Sequence, residues 1–198
     1  MKTKKIIIIV ASACLLLTGC NKPNSETVYE NIKQLELTGT LVTLQAHYHN
    51  VIEYEKQKEK GILHVFDKDM KMFAEYNGSV QFGINLRDVK FEANNSRIKV
   101  TIPKADVIGE PSVDQESFKK ENFIVSSDEF LNSNEISGED ASNALQTAQK
   151  EMKENAENDS ALKQKAQMRA KVLIKETIKQ VSNLSDKELE KMIDWVYE

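Results

Sequence analysis

The stretch that decides the fold is MKMFAEYNGSVQFGINL, residues 70–86. Asn77 and Gly78 form a strong two-residue hairpin signal, since both tolerate the positive φ of a type I′ turn. That turn would pair Tyr76 with Ser79 and Phe73 with Phe82. Met72, Ala74 and Tyr76 would then lie on one face, with Val80, Phe82 and Ile84 on the other. Read straight through, Met72, Ala74, Tyr76, Gly78, Val80, Phe82, Ile84 and Leu86 stay in one phase of two. A sheet with one buried face needs such a phase, so the spacing predicts one long strand kinked at Gly78. A three-residue hairpin loop would preserve the phase as well, and both readings stay open here.

The flanks extend the period of two. Val42, Leu44, Ala46, Tyr48, Ile52 and Tyr54 share one face, and Thr43, Gln45, His47, His49 and Glu53 the other. This is a long half-buried strand, with Asn50 read as a bulge. Ile62 to Phe66 is a further short strand, ahead of the charged turn Asp67-Lys68-Asp69. Val89, Phe91 and Ala93 align across a turn at Asn95-Ser96 with Ile98, Val100 and Ile102. Pro103 ends that strand, and Ala105 to Ile108 closes a curved antiparallel sheet.

After about Ser126 the period becomes helical. Ser137 and Asp140 read as a capping box ahead of Ala141, Leu145, Ala148 and Met152. The stripe resumes with Leu162, Ala166, Ala170, Leu173 and Val181, as one helix of about 43 residues or as two broken near Asp159-Ser160. The run Val172-Leu173-Ile174 places Leu173 in the core. Ser185 and Glu188 cap a last helix bearing Leu189, Met192, Ile193 and Val196. At the other end, Thr27 and Glu30 fit a capping box for a short helix from Val28 to about Leu35. The fold class is α+β, a curved antiparallel sheet followed by long C-terminal helices. One domain covers residues 36–198, its sheet in 36–125 and its helical part in 126–198.

The N-terminus supplies an address. Lys2, Lys4 and Lys5 precede an uncharged run from Ile6 to Thr18, long enough for a secretory signal and too short to span a bilayer. It ends in Leu17-Thr18-Gly19-Cys20, which resembles the lipobox of bacterial lipoproteins. That resemblance implies that residues 1–19 are a signal peptide cut before Cys20, and that the Cys20 thiol carries a diacylglyceryl group and fatty acyl chains such as palmitate. Residues 20–35 then form a lipidated tether and short helix. Cys14 leaves with the signal, so the mature chain has no thiol left for a disulfide. Losing Lys2, Lys4 and Lys5 takes the net charge from −4 to about −7. An acidic exported chain disfavours nucleic acid as a partner. The expected location is the extracytoplasmic face of the cell membrane.

Three segments, LVTLQAHYHNVIEYEK, YNGSVQFGINLRDVKF and RIKVTIPKADVIGEPSVDQESF, resemble a widespread bacterial family known as domain of unknown function 4230. The resemblance covers roughly residues 36–180. Its most specific elements are Gly78, Gly83 in FGIN, and the VTIPKADVI strand. The family often has an aspartate where this chain has Asn85, so no site built on that carboxylate carries over. What the resemblance implies is an exported or membrane-anchored α+β domain, with no catalytic residue to transfer.

Candidate chemistry is sparse. His47 and His49 point the same way from one strand and would bind a metal only if His64 or Glu53 joined them. Two histidines in that setting read as a solvated strand face, so no metal, cofactor or catalytic residue is assigned. The chain contains no Gly-x-Ser-x-Gly nucleophile motif and no phosphate-binding loop. The expected function is a non-enzymatic binding or scaffold module held at the membrane through Cys20. Its partner would be an envelope protein or a second copy. The alternative is a lipoprotein that binds a small ligand for a membrane complex.

Overall fold

The residues from Met70 to Asn85 form one unbroken strand, β2, in a computed structural model that describes residues 24–35, 37–56, 70–94, 96–126 and 136–198. Met72, Ala74, Tyr76, Val80, Phe82 and Ile84 are all buried, so the phase runs through Gly78 as one strand. The antiparallel ladder to β1 (Thr40–Lys56) continues past that glycine in register from Ala46↔Val80 to Asn50↔Tyr76, while the ladder on its other side shifts register between Ser79 and Gln81. What Gly78 supplies is space. A Cβ there would lie 2.3 Å from Met152 Cε and 2.9 Å from the Ser112 carbonyl oxygen.

β2 is central. β5 (Asp106–Val113) pairs with its Gly78–Gly83 portion, and β6 (Ile124–Ser126) with Lys71 to Phe73. The bulge in β1 lies between Val42 and Leu44, not at Asn50. Asn50 stays in register on the inward face, where its side chain hydrogen-bonds the buried Tyr76 hydroxyl. The bulge turns Thr43 so that its hydroxyl donates to the Ala166 carbonyl at 2.8 Å, and it leaves Val42 exposed. Gly83 sits opposite, and a Cβ there would come 2.1 Å from the Leu41 carbonyl oxygen.

The Val89–Ile102 hairpin belongs to a second sheet. β3 (Lys90–Asn94) pairs antiparallel with β4 (Arg97–Ile102), and Ile98, Val100 and Ile102 point into the core. Pro103 has no N–H to continue the ladder, and the chain crosses there to β5 and the first sheet. The expected strand Ile62–Phe66 lies outside the described residues.

Two helices cover the inward face. α2 (Gly138–Asn158) begins at the Ser137–Asp140 capping box, and α3 (Ser160–Ser182) follows it directly. Asp159 breaks the run, since its carboxylate accepts from the Leu162 amide at 2.9 Å and restarts the helix. The buried rows are Ala144, Ala148, Met152 and Ala156, then Ala166, Ala170, Ile174, Ile178 and Ser182, each at a spacing of four. Alanines in such a row let a helix backbone approach the sheet closely. Leu173 is therefore not core: it is 45% exposed, against 3% for Ile174. Three successive helical residues fan over about 200°, and only Ile174 continues the row.

Both ends of the described chain attach to the second sheet. α1 (Ser25–Lys33) is capped by Asn24 rather than Thr27, and buries Val28 and Ile32. α4 (Asp186–Met192) starts at the Ser185–Glu188 capping box but ends at Met192. Ile193–Tyr197 is a strand, β7, parallel to β4, in place of the expected helix carrying Ile193 and Val196. Ile193, Trp195 and Tyr197 fit a period of two, and β-branched and aromatic side chains favour a strand with an open ladder beside it.

Three substitutions test this packing. Ile174→Ala should cost about 2–5 kcal/mol as a core truncation, whereas Leu173→Ala should cost about 1 kcal/mol or less. Urea denaturation of the two variants beside the parent reads the difference, and equal losses would contradict the assigned helix face. Gly83→Ala should destabilise by about 1–3 kcal/mol, since the Leu41 carbonyl it would strike is backbone and cannot rotate away.

Candidate functional site

With the helices on one face of the first sheet, the odd-numbered residues of β1 beyond the bulge face outward. Gln45, His47, His49, Val51 and Glu53 are all exposed there. His49 is held at both nitrogens. Nδ1 lies 2.8 Å from Asn77 Oδ1, and Nε2 lies 2.5 Å from Glu75 Oε1. Only the imidazolium can donate to both oxygens, so the hydrogen bond to Asn77 and then that to Glu75 raise the pKa above the ordinary histidine value. Glu53, the third ligand considered with the two histidines, is instead engaged by Lys71 at 2.5 Å. His47 pairs across the ladder with Ser79. His64 lies outside the described residues, among which no group of three histidines, cysteines or carboxylates is placed to hold a metal ion.

The concave features differ in chemistry. An apolar cavity of about 90 Å³ lies among Leu35, Leu37, Leu41, Leu86, Phe91 and Leu173. A cleft of about 490 Å³ with a mixed lining runs between α1 and the second sheet, where Asn24, Glu26, Glu30 and Arg97 meet Tyr29 and Ile98. Arg97 is the residue that sequence reasoning missed. Its guanidinium binds Asp194 through Nε at 2.8 Å and donates to the carbonyl oxygens of Lys191 and Ile193 at 2.6 and 3.1 Å. That hydrogen bond lowers the Asp194 pKa and latches β7 onto β4. The sequence signal would have been the acidic residue within the apolar run Ile193–Tyr197, once that run was read as a strand. A third, open cleft of about 350 Å³ collects Glu75, Asp114 and Glu116 beside Ser117 and Asn122. Asp114 serves there as the cap of a 3₁₀ turn, and Glu116 pairs with Lys119.

Under the helices, the Tyr48 hydroxyl is buried with no hydrogen-bond partner among the described residues. Burial first, and then the Asp159 carboxylate, push its pKa up, so it stays a neutral phenol. Cys20, the residue assigned to lipidation, lies outside the described residues.

The His49 contacts have a measurable signature. Its NMR titration midpoint should lie above the ordinary value of about 6.5, and Glu75→Gln should lower it. A raised folded-state pKa stabilises the fold below the unfolded value, and that contribution fades as pH rises through the folded one. A midpoint unmoved by Glu75→Gln would show that the contact does not form in solution.

No curated protein and no solved structure matches the chain. The family model DUF4230, described as protein of unknown function, matches residues 33–188. That span runs from the end of α1 through the capping box of α4 and takes in the whole first sheet and both long helices. The chain belongs to the DUF4230 family.

Proposed function

We propose that this protein is a bacterial lipoprotein held at the extracytoplasmic face of the cell membrane through lipid on Cys20, and that its domain is a non-enzymatic binding or scaffold module. The anchoring reading rests on Leu17-Thr18-Gly19-Cys20 behind a basic, then apolar, N-terminus. No helix among the described residues is long and apolar enough to cross a membrane, so in this reading the lipid does the holding. Two acyl chains suffice, at about 0.8 kcal/mol for each buried methylene.

The binding reading is carried by one observation: the outward face of the first sheet stands open, while the apolar cavity under α3 is small. Small-molecule pockets enclose roughly 300–1,000 Å³ of mainly apolar space, and the apolar cavity here is about 90 Å³. Meanwhile the outward face of the first sheet and several apolar positions of α3 stand exposed. The cleft of about 490 Å³ beside Arg97 favours the small-ligand alternative. It ranks second because the guanidinium is already committed to Asp194 and two carbonyls.

Two experiments test these readings separately. Cys20→Ser should retain the signal segment and fail to incorporate labelled fatty acid, whereas normal labelling of the variant would sink the anchor. A photo-crosslinker at His47 or Val51 of the full chain in native membranes should capture discrete protein adducts. Absence of adducts, with a metabolite retained on the purified protein and lost in an Arg97→Ala variant, would favour the small-ligand reading.

A further inference from the structure

Charge is not spread evenly over this acidic chain. α3 carries six basic residues, Lys163, Lys165, Arg169, Lys171, Lys175 and Lys179, against a single acidic one, Glu176. α2 has the opposite balance, five acidic residues to two basic. Three of the α3 cations are neutralised by neighbours. Lys163 pairs with Asp106 at 2.8 Å, and Lys175 and Lys179 pair with Asp186 at 3.3 and 3.0 Å. Lys165, Arg169 and Lys171 meet no carboxylate among the described residues. Arg169 makes one long hydrogen bond to the Thr43 carbonyl, and Lys171 lies over the rings of Trp195 and Tyr197.

The free cations frame an apolar strip. Lys165, Met168, Arg169 and Val172 follow the spacing i, i+3, i+4, i+7, which places them within about 100° of one another around the helix. All four are exposed, Met168 by 49% and Val172 by 57%. Leu173 widens the strip on one side, and Lys171 with Tyr197 flanks it on the other. Glu176 closes it one turn further on. Exposed apolar side chains between lysine and arginine stems are the arrangement by which a helix rests at a lipid–water interface, stems buried and charged ends in the headgroups.

From this geometry we infer that the Lys165–Val172 face of α3 docks on an anionic phospholipid surface. The charge selects that occupant. A second copy packed face to face would bring Lys165 and Arg169 against their own counterparts, which repel. A bilayer of anionic lipids supplies the complementary sign over a plane wide enough for a whole helix. The inference deepens the anchoring reading, since four residues of chain from Cys20 to Asn24 can hold Asn24 no further than about 14 Å from the lipidated residue. The surface contact itself does not require the acyl chains.

The test uses the full chain reconstituted in vesicles of phosphatidylcholine alone, or of phosphatidylcholine mixed with phosphatidylglycerol. Trp195 is the sole tryptophan, so Val172→Trp combined with Trp195→Phe gives one reporter on the strip. With nitroxide-labelled lipid present, its emission should be quenched severalfold more in phosphatidylglycerol vesicles than in neutral ones. High salt should remove the difference, as should Lys165→Glu with Arg169→Glu, while circular dichroism stays unchanged. Equal quenching on both vesicle types would overturn docking. Flotation of the unsubstituted chain separates the two readings and does not depend on the reporter variant folding. Flotation on neutral vesicles reports the anchor alone. If the anchor fails, salt-sensitive flotation on phosphatidylglycerol vesicles still supports docking, and no flotation on either overturns it. A protein adduct at position 172 in place of lipid quenching would assign the strip to a protein partner and overturn the proposal.

Discussion

The rest of the structure hangs on the absence of a side chain at Gly78. Met152 occupies the space where a Cβ would stand, which brings α2 down onto the middle of β2. β2 is the one strand that β1, β5 and β6 all pair with, so its approach distance to the helices sets the spacing of the whole first layer. The alanines of both helices act in the same direction, since Ala144, Ala148, Ala156, Ala166 and Ala170 are all fully buried. Close helix-to-sheet packing leaves little void, which fits the small size of the apolar cavity beside Leu86 and Leu173. A larger residue at position 78 or along the alanine row would have to lift a helix and open that interface.

Much of this was legible as phase. A two-residue turn at Asn77-Gly78 would have reversed the apolar face, and the residues forbade it. The same test matched β3 to β4 in register, and the serine boxes at Ser137 and Ser185 marked true helix starts. What failed were readings in which local pattern cannot tell direction or depth. Asn50 looked like a break in an apolar face because its partner, the Tyr76 hydroxyl, is distant in sequence. Leu173 and Ile174 are equally apolar, and only the position of the sheet decides between them. Ile193–Tyr197 fits helical and strand spacing alike, and the open ladder of β4, formed some 90 residues earlier, resolves it.

The candidate surfaces were less legible still, for an electrostatic reason. Net charge is a sum, and the sum here hides its distribution. If the signal leaves, the mature chain carries about −7, yet α3 alone carries +5, so the remainder stands near −12. Sequence can count those lysines. It cannot say that Asp186 neutralises Lys175 and Lys179 while Lys165 and Arg169 meet no carboxylate among the described residues, because that depends on where α4 folds back. In the same way His47 and His49 read as a pair by spacing, whereas across the ladder His49 belongs to Glu75 and Asn77.

Magnitudes then assign different tasks to the two membrane contacts proposed. Each basic residue at an anionic surface contributes about 1 kcal/mol, so Lys165, Arg169 and Lys171 together give about 3 kcal/mol. That is roughly a hundredfold bias, too weak to hold a free protein at the membrane for long and ample to orient one already there. The acyl chains have the opposite character: strong, and indifferent to which way the domain faces. The acidic remainder of the chain reinforces the bias, because any other face turned toward anionic lipid is repelled. With α3 against the headgroups, the outward face of the first sheet does not lie on the membrane, since the helices occupy the opposite side of that sheet. A surface kept clear in this way, at a fixed height above the bilayer, is what a module that meets other envelope components requires.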